Sequence, residues 1–393
     1  MRILVASSDF PLRDGGVATV AFEVARALDA LGHDVTVLAP TQEHGDGEFD
    51  AALPFRVIRT RNVKDHYAKL LYQRLVVKRL AGREHFDWVA AQTWYPFGAA
   101  AAGVMGGMAK RPVLTVTVHG NEILNPRFRS PFWRRRMKRT FETADAIFCV
   151  SSATARKLHE VTDGLCRVEE KVRIVGNGVD IETFKPAPPK EELLRRYGLE
   201  GRPVLLTLAR LVERKGQDTV IRALPAIKKA VPGVRYLICG KGDYEGELKK
   251  LAAETGVAGD VVFAGFVPNE QRPDHYNLCD VYVMASREIE RRGDVEGFGI
   301  TYLEAGACAK PVVAGRSGGT ADAVVDGETG LLADPEDPAD VADKCIRLLG
   351  DRATARAMGG KARETAAGRY RWAEICETMA AAAAEHAAGP SRP

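Results

Sequence analysis

Short apolar runs with strand character alternate with helix-length amphipathic stretches along nearly the whole chain, and they do so in two separate series. The first series is RILVA (2–6), DVTVLA (34–39), WVAAQ (88–92), VLTVTVH (113–119), AIFCVS (146–151) and VRIVGN (172–177), with helical pattern over 17–31. A break rich in proline and charge follows, FKPAPPKEE (184–192). The second series is VLLTLA (204–209), RYLICG (235–240), VVFAG (261–265), VYVMAS (281–286) and PVVAG (311–315). Near-continuous apolar strands separated by helices predict parallel sheets covered on both faces. The expected architecture is α/β, with two doubly wound Rossmann-like domains at 1–185 and 186–369. A helix in the block 370–393 is expected to cross back onto the first domain, with GPSRP at its end frayed. Ligands in such sheets bind at the carboxyl ends of the strands, so a cleft between the domains is the expected site.

A chain of 393 residues, 46% hydrophobic and 27% charged, fills two soluble domains. No apolar run reaches transmembrane length, and the opening MRILVASSDF reads as a first buried strand rather than a signal peptide. The seven cysteines are scattered, with no Cys-x-x-Cys, as befits small core residues in a reduced cytosol. The net charge of +4 is uneven: residues 1–185 hold 27 Lys+Arg against 21 Asp+Glu, and the remainder 29 against 31. The two halves are therefore expected to face different partners.

The richest local pattern is EGFGITYLE (296–304). A glycine-flanked turn should start a helix near Gly299, with Glu296 in the loop before it and Glu304 about one and a half turns inside. Amides of Phe298, Gly299 and Ile300 would then lie at the positive end of the helix, where an anion binds readily. A phosphate cradle between two hydroxyl-binding carboxylates suits a sugar joined to a nucleotide diphosphate. Arg210 and Lys215 follow strand VLLTLA and could neutralise a diphosphate, Arg as a fork and Lys as a point charge. Gly15-Gly16, between the first strand and its helix, permits close backbone approach but is not a dinucleotide fingerprint. GKGDYEG (240–246) contains Gly-x-Gly, yet its next glycine is one residue too far and no acidic residue ends the following strand, which argues against nicotinamide binding. His119 ends VLTVTVH and reads either as a residue facing the cleft or as an ordinary core or surface histidine. No two aspartates are separated by one residue, so a metal-binding Asp-x-Asp is absent and no metal is expected; protein groups would stabilise a leaving diphosphate. RFRSPFWRRRMKR (127–139) carries seven basic residues in thirteen. Arg127, Arg129, Trp133, Arg134, Arg135, Arg136, Lys138 and Arg139 read as a membrane or acceptor surface, together with KDHYAKLLYQRLVVKRL (64–80). A solvated helix face is the plainer reading, and the near-neutral total charge disfavours nucleic acid.

Taken together, GGVA (15–18), VHGNE (118–122), GNGVDIETF (176–184), ARLVERKG (209–216), GKGDYEG, EGFGITYLE, PVVAG and DGETGLL (326–332) resemble the retaining GT-B glycosyltransferases of family 4 over nearly the full length. DVEGFGITYLEA…PVVAGRSGG is especially similar to bacterial phosphatidylinositol mannosyltransferases and their relatives. Ala209 departs from the glycine found there in many members, with little expected effect. The resemblance implies that Arg210 and Lys215 hold the donor diphosphate and that Glu296 binds sugar hydroxyls. Phe298, Gly299 and Ile300 would offer backbone to sugar and phosphate, and Glu304 would bind the ribose. His119 would contact the sugar or stabilise the transition state. Gly15 and Gly16 would approach the diphosphate, and Gly240 and backbone near Val267 would complete the donor site. The implied reaction is hexose transfer with retention, without cofactor or metal. The leaving phosphate would take the acceptor proton, because no carboxylate nucleophile of the glycosidase kind stands out. Local similarity tilts the donor to GDP-mannose and the basic surface tilts the acceptor to a lipid. The place of action would be the cytoplasm or the cytoplasmic membrane face. UDP-glucose or UDP-N-acetylglucosamine transfer to a soluble acceptor, a nucleotide-sugar 2-epimerase, and a non-catalytic nucleotide- or lipid-binding protein stay open as alternatives.

Overall fold

The computed structural model describes residues 1–13, 15–41, 45–108 and 110–388. The expectation that GPSRP frays lies outside the described residues. The chain forms two compact units, one made of Met1–Asn177 and the segment from Trp372 onward, the other of Gly178–Arg371.

In the first unit seven strands form one parallel sheet: β1 (Arg2–Ala6), β2 (Asp34–Pro40), β3 (Arg56–Thr60), β4 (Trp88–Ala91), β5 (Val113–Val118), β6 (Ala146–Cys149) and β7 (Val172–Ile174). Their order is β3-β2-β1-β4-β5-β6-β7, so direction of travel reverses between β1 and β4. The central strands are apolar because both faces are covered. One face carries the helices His66–Ala81, Ala99–Met105 and Pro131–Thr143. The other carries Gly16–Ala30, which packs Val20, Ala21, Val24 and Leu28 inward. The helix Trp372–Ala388 lies against Gly16–Ala30, and Cys376 Sγ sits 3.9 Å from the Val24 carbonyl oxygen.

The second unit holds β8 (Val204–Leu208), β9 (Arg235–Cys239), β10 (Val261–Gly265), β11 (Val281–Met284), β12 (Val312–Gly315) and β13 (Gly330–Ala333). All pairs are parallel, in the order β10-β9-β8-β11-β12-β13, and the reversal falls between β8 and β11. Both units are thus doubly wound Rossmann-like folds.

β3 and β13 do not stand out in the sequence. RVIRT carries two arginines on an edge strand, and GLLA is a four-residue strand that opens with glycine. Neither builds the apolar run by which a central strand is recognised. A second difference concerns the basic segment. Trp133, expected on the outer surface, is 3% exposed and packs with Phe128, Met137 and Phe141 in the core. Positions 133, 137 and 141 are four apart, so they share the inner face of Pro131–Thr143. Phe132 is the ring that this helix leaves outside, 40% exposed.

All seven cysteines are free, and only Cys166 is not fully buried. Among the described residues no helix is long and apolar enough to cross a membrane.

Candidate active site

The second unit gathers charge at the carboxyl ends of β8, β11 and β12, around its switch point. β8 runs into Ala209 and Arg210, then into a short 3₁₀ turn, Glu213–Lys215, closed by Gly216 at φ 69°. A Cβ on Gly216 would collide with the Ala285 carbonyl oxygen. Glycine is therefore required for the loop to lie against the end of β11. That placement buries Arg214 and Lys215. Both cations reach the same atom: Arg214 Nη1 is 2.6 Å and Lys215 Nζ 2.5 Å from Glu296 Oε2. Arg214 Nε also lies 2.8 Å from Asp294 Oδ1. Burial by itself would raise the Glu296 carboxyl, but the Lys215 ammonium and the Arg214 guanidinium reverse this and hold it at about 2. Burial lowers Lys215 to about 8 against the pull of Glu296, and the nearby Arg214 and Arg210 push the same way. Both hydrogen bonds that described residues donate to the Glu296 carboxylate go to Oε2.

Four residues on, the helix Ile300–Ala307 begins, with Gly299 as its N-cap at φ 92° and no side-chain cap. A Cβ on Gly299 would run into the Tyr302 ring. Tyr302 is held by its hydroxyl, which donates to the Met284 carbonyl at 2.8 Å and accepts from Ser286 Oγ at 2.8 Å. Phe298 turns its ring inward against Tyr370, with centroids 5.8 Å apart. No side chain caps this helix start, and an uncapped positive helix end suits an anion. Gly319 N–H donates to the Glu296 carbonyl at 2.8 Å and ties the loop after β12 to the same turn.

Glu304 sits inside the helix and is buried. Arg272 Nη2 lies 2.7 Å and the Tyr276 hydroxyl 2.5 Å from its Oε2. The two glutamates are therefore built alike, each fixed through one oxygen by two donors. Sequence reasoning singled out Lys215 but passed over Arg214, Arg272 and Tyr276, whose partners lie 82, 32 and 28 residues away. Gly240 follows β9, its N–H donating to the Gly265 carbonyl at 2.7 Å, and Val267 lies buried just beyond β10. Arg210 is exposed at the end of β8, and its carbonyl accepts from Gln217 Nε2 at 3.1 Å.

The first unit places Gly15, Gly16 and His119 along the carboxyl edge of its own sheet, next to the β1–β4 reversal. His119 Nε2 lies 2.8 Å from the Gln92 carbonyl oxygen, which can only accept, so Nε2 carries the proton and Nδ1 presents a lone pair. Burial pulls His119 down to about 4, partly opposed by that hydrogen bond, so the ring is neutral near pH 7. The His119 N–H donates to Glu122 Oε1 at 2.6 Å. Burial pushes Glu122 up to about 7 even though backbone amides hydrogen-bond its carboxylate. In the basic segment, Arg127 and Arg129 belong to a 3₁₀ turn, Pro126–Arg129, while Arg134, Arg135, Lys138 and Arg139 are exposed on the following helix. Arg136 lies over the Phe132 ring, 5.1 Å from its centroid.

Two doubly wound units, one with paired carboxylates around an uncapped helix start at its switch point, define a glycosyltransferase of GT-B fold. The chain belongs to glycosyltransferase family 4: residues 14–183 match Glycosyltransferase Family 4 and residues 189–365 match Glycosyl transferases group 1. It is 35% identical, over 96% of its length and 97% of the relative's, to a GDP-mannose-dependent alpha-(1-6)-phosphatidylinositol monomannoside mannosyltransferase of Mycobacterium tuberculosis. The protein of the same description from Mycolicibacterium smegmatis is 36% identical over 94% of this chain and 95% of that one. Among solved structures, Anabaena HepE in complex with UDP and glucose superposes with a TM-score of 0.79 at 23% identity, covering 98% of this chain and 100% of that one. Sucrose-phosphate synthase from Thermosynechococcus elongatus reaches 0.82 at 22% identity, covering 98% and 99%. These two likenesses speak to the fold.

Proposed function

We propose that this glycosyltransferase moves mannose from GDP-mannose to a hydroxyl of a phosphatidylinositol-type lipid or lipid-linked acceptor, with retention at the anomeric carbon and without a metal. The observation that carries this reading is the pair of glutamates, Glu296 and Glu304, each pinned through Oε2 on either side of an open helix start. Glu296 Oε1 would accept from donor-sugar hydroxyls, and Glu304 would take the ribose. The amides of Phe298, Gly299 and Ile300 would meet sugar and phosphate. Arg210 and Lys215 would carry the charge of the leaving diphosphate, an electrostatic contribution of about 10²–10³ in rate per group. Glu296 is a poor nucleophile, because two buried cations hold its charge. This favours a front-face route in which the leaving phosphate accepts the acceptor proton as the new C1–O bond to the acceptor forms and the C1–O bond to the diphosphate breaks. His119, neutral and with Nδ1 as an acceptor, would contact a sugar hydroxyl, and Gly15-Gly16 would approach the diphosphate. The near full-length similarity to GDP-mannose-dependent relatives supports the choice of donor and acceptor class.

The reading includes peripheral contact with anionic membrane. Tyr67, Leu71 and Leu75 are 55%, 61% and 59% exposed and lie four residues apart on one face of His66–Ala81. Phe132 packs against Tyr67 with the rings tilted and their centroids 5.0 Å apart. Lys64, Arg74, Lys78, Arg134 and Arg135 are exposed on the same two segments. Apolar side chains among cations suit the interface of an anionic bilayer.

The experiment is turnover of GDP-mannose with phosphatidylinositol and its mannosides in the presence of a chelator, with the product linkage read by NMR. The α-mannoside formed without added metal is expected. The inverted anomer, or uridine donors used in preference, would overturn the assignment.

A further inference from the structure

The donor chemistry calls on the Lys215 ammonium, but the fold has already paired it. Glu296 Oε2, at 2.5 Å, is its one ion-pair partner among the described residues. Were the ammonium to turn to an incoming diphosphate with no other cation at hand, a buried carboxylate would be left bare, which protein interiors do not tolerate. Arg214 removes that difficulty. Its Nη1 lies 2.6 Å from the same Oε2, and its Nε lies 2.8 Å from Asp294 Oδ1. Two cations thus face two carboxylates, and the four charges balance among themselves.

The two cations are not equally free to move. Arg214 is held at both ends. Its carbonyl accepts from the Arg287 N–H at 2.8 Å. The buried Arg287 guanidinium donates twice to Asp218, at 2.9 and 3.0 Å, which ties it to the first turn of the helix Gln217–Ala230. At the far end, Asp294 is presented by a tight turn. The Ile289 N–H donates to the Asp294 carbonyl at 2.8 Å, and Gly293 closes the turn at φ 59°. Glu213, the residue before Arg214, is engaged elsewhere, with Arg291 at 2.7 Å. Moving Arg214 would strip two carboxylates of a partner. Moving Lys215 strips one, and that one keeps Arg214. A planar guanidinium with five donors holds two acids at once, whereas an ammonium on a flexible stem can swing. Lys215 is therefore the exchangeable cation and Arg214 the fixed one.

We propose that Arg214 is a positioning residue: it holds Glu296 in place while Lys215 passes from that carboxylate to the diphosphate of the donor. The proposal rests on the donor reading above and deepens it. Without Arg214, Glu296 has Lys215 alone and keeps it from the ligand. Arg214 acts on the diphosphate only through Glu296, so its influence must vanish once Glu296 carries no charge.

The test is calorimetric titration of the full chain at neutral pH with GDP and, separately, with UDP. It compares wild type, Arg214→Gln, Arg214→Lys, Glu296→Gln and the double variant Arg214→Gln/Glu296→Gln. Arg214→Gln is expected to weaken nucleotide binding about 10- to 100-fold, the loss of one charge-assisted contact from Lys215. Arg214→Lys keeps the charge and should recover most of that loss. Glu296→Gln should bind at least as tightly as wild type, because Lys215 is released. The double variant should match Glu296→Gln within about threefold, as expected when one residue acts only through the other. It keeps Lys215 against Asp294, so its charges balance, and it carries the test even where Arg214→Gln alone fails to fold. A double variant weaker than Glu296→Gln by about tenfold or more would overturn the proposal, since Arg214 would then touch the diphosphate itself or merely support the fold. Arg214→Gln binding as wild type does would overturn it too. The whole pattern seen with UDP and not with GDP would support the exchange while overturning the guanosine donor. Binding of neither nucleotide to the native chain would overturn both.

Discussion

Replacing Glu296 with glutamine removes one charge from a buried cluster of three and leaves the shape almost unchanged. The carboxyl drops from 4.5 to about 2 on folding. At about 1.4 kcal/mol per pH unit, this amounts to roughly 3 kcal/mol. Breaking a buried pair from one side costs about 3–5 kcal/mol by general experience, so the two routes agree. Arg214 keeps Asp294 at 2.8 Å, so the loss falls chiefly on Lys215. For a unit of this size the expected fall in Tm is about 6–12 °C near neutral pH. The pH dependence carries the sharper test. The folded carboxyl is depressed, so its stabilisation is complete above the ordinary value of 4.5 and lost as pH falls from there toward about 2. Glutamine does not titrate, so the gap between wild type and Glu296→Gln should narrow steadily below about pH 4.5. Calorimetry of both proteins from neutral pH into this range checks it. A variant within about 1 °C of wild type at neutral pH, or a gap that stays constant on acidification, would refute the reasoning.

Other consequences can be checked singly. Arg210→Ala should lose the thermal stabilisation given by GDP and GDP-mannose, which in wild type reaches about 2.7 kcal/mol at a hundredfold excess over Kd. Gly299→Ala should destabilise by about 1–2 kcal/mol from its left-handed backbone alone, and displacement of Tyr302 should weaken donor binding, read as a raised donor KM. Trp133→Ala should cost about 3–5 kcal/mol in urea unfolding, whereas the neighbouring Phe132→Ala stays within about 1 kcal/mol. Burial raises the folded Glu122 carboxyl to about 7, so wild-type stability should fall as pH rises from about 4.5 to about 7 and level off above. Glu122→Gln should flatten that slope in pH-dependent unfolding.

The sequence announced the two sheets because their central strands are buried on both faces and carry uninterrupted apolar residues. RVIRT at the edge of the first sheet had no such pressure on it and stayed hidden. At the site, the spacing of Glu296 and Glu304 and the glycine between them were legible, since a helix start and its register are local properties. The partners of those carboxylates were not. Three basic or acidic residues run together in Glu213-Arg214-Lys215, and nothing local says which of them will face a carboxylate 82 positions away. Trp133 is an instructive miss: the density of arginines drew attention outward, while the four-residue period of Trp133, Met137 and Phe141 already pointed in. The neutral state of His119 was equally beyond reach, because it depends on burial, and its tautomer is set by the carbonyl of Gln92, a residue just after β4.

The helix Trp372–Ala388 belongs to the first unit although the whole second unit precedes it in the chain. During synthesis, Val20, Val24 and Leu28 emerge early, but the helix beside Gly16–Ala30 is made only after Gly178–Arg371 has been translated. At about 5–20 residues per second, the nascent first unit waits roughly 10–40 s with that helix face uncovered. The second unit, contiguous in sequence, has no such delay and can finish folding first. On a translating ribosome the first unit, though begun first, can therefore be completed only after the second has been made.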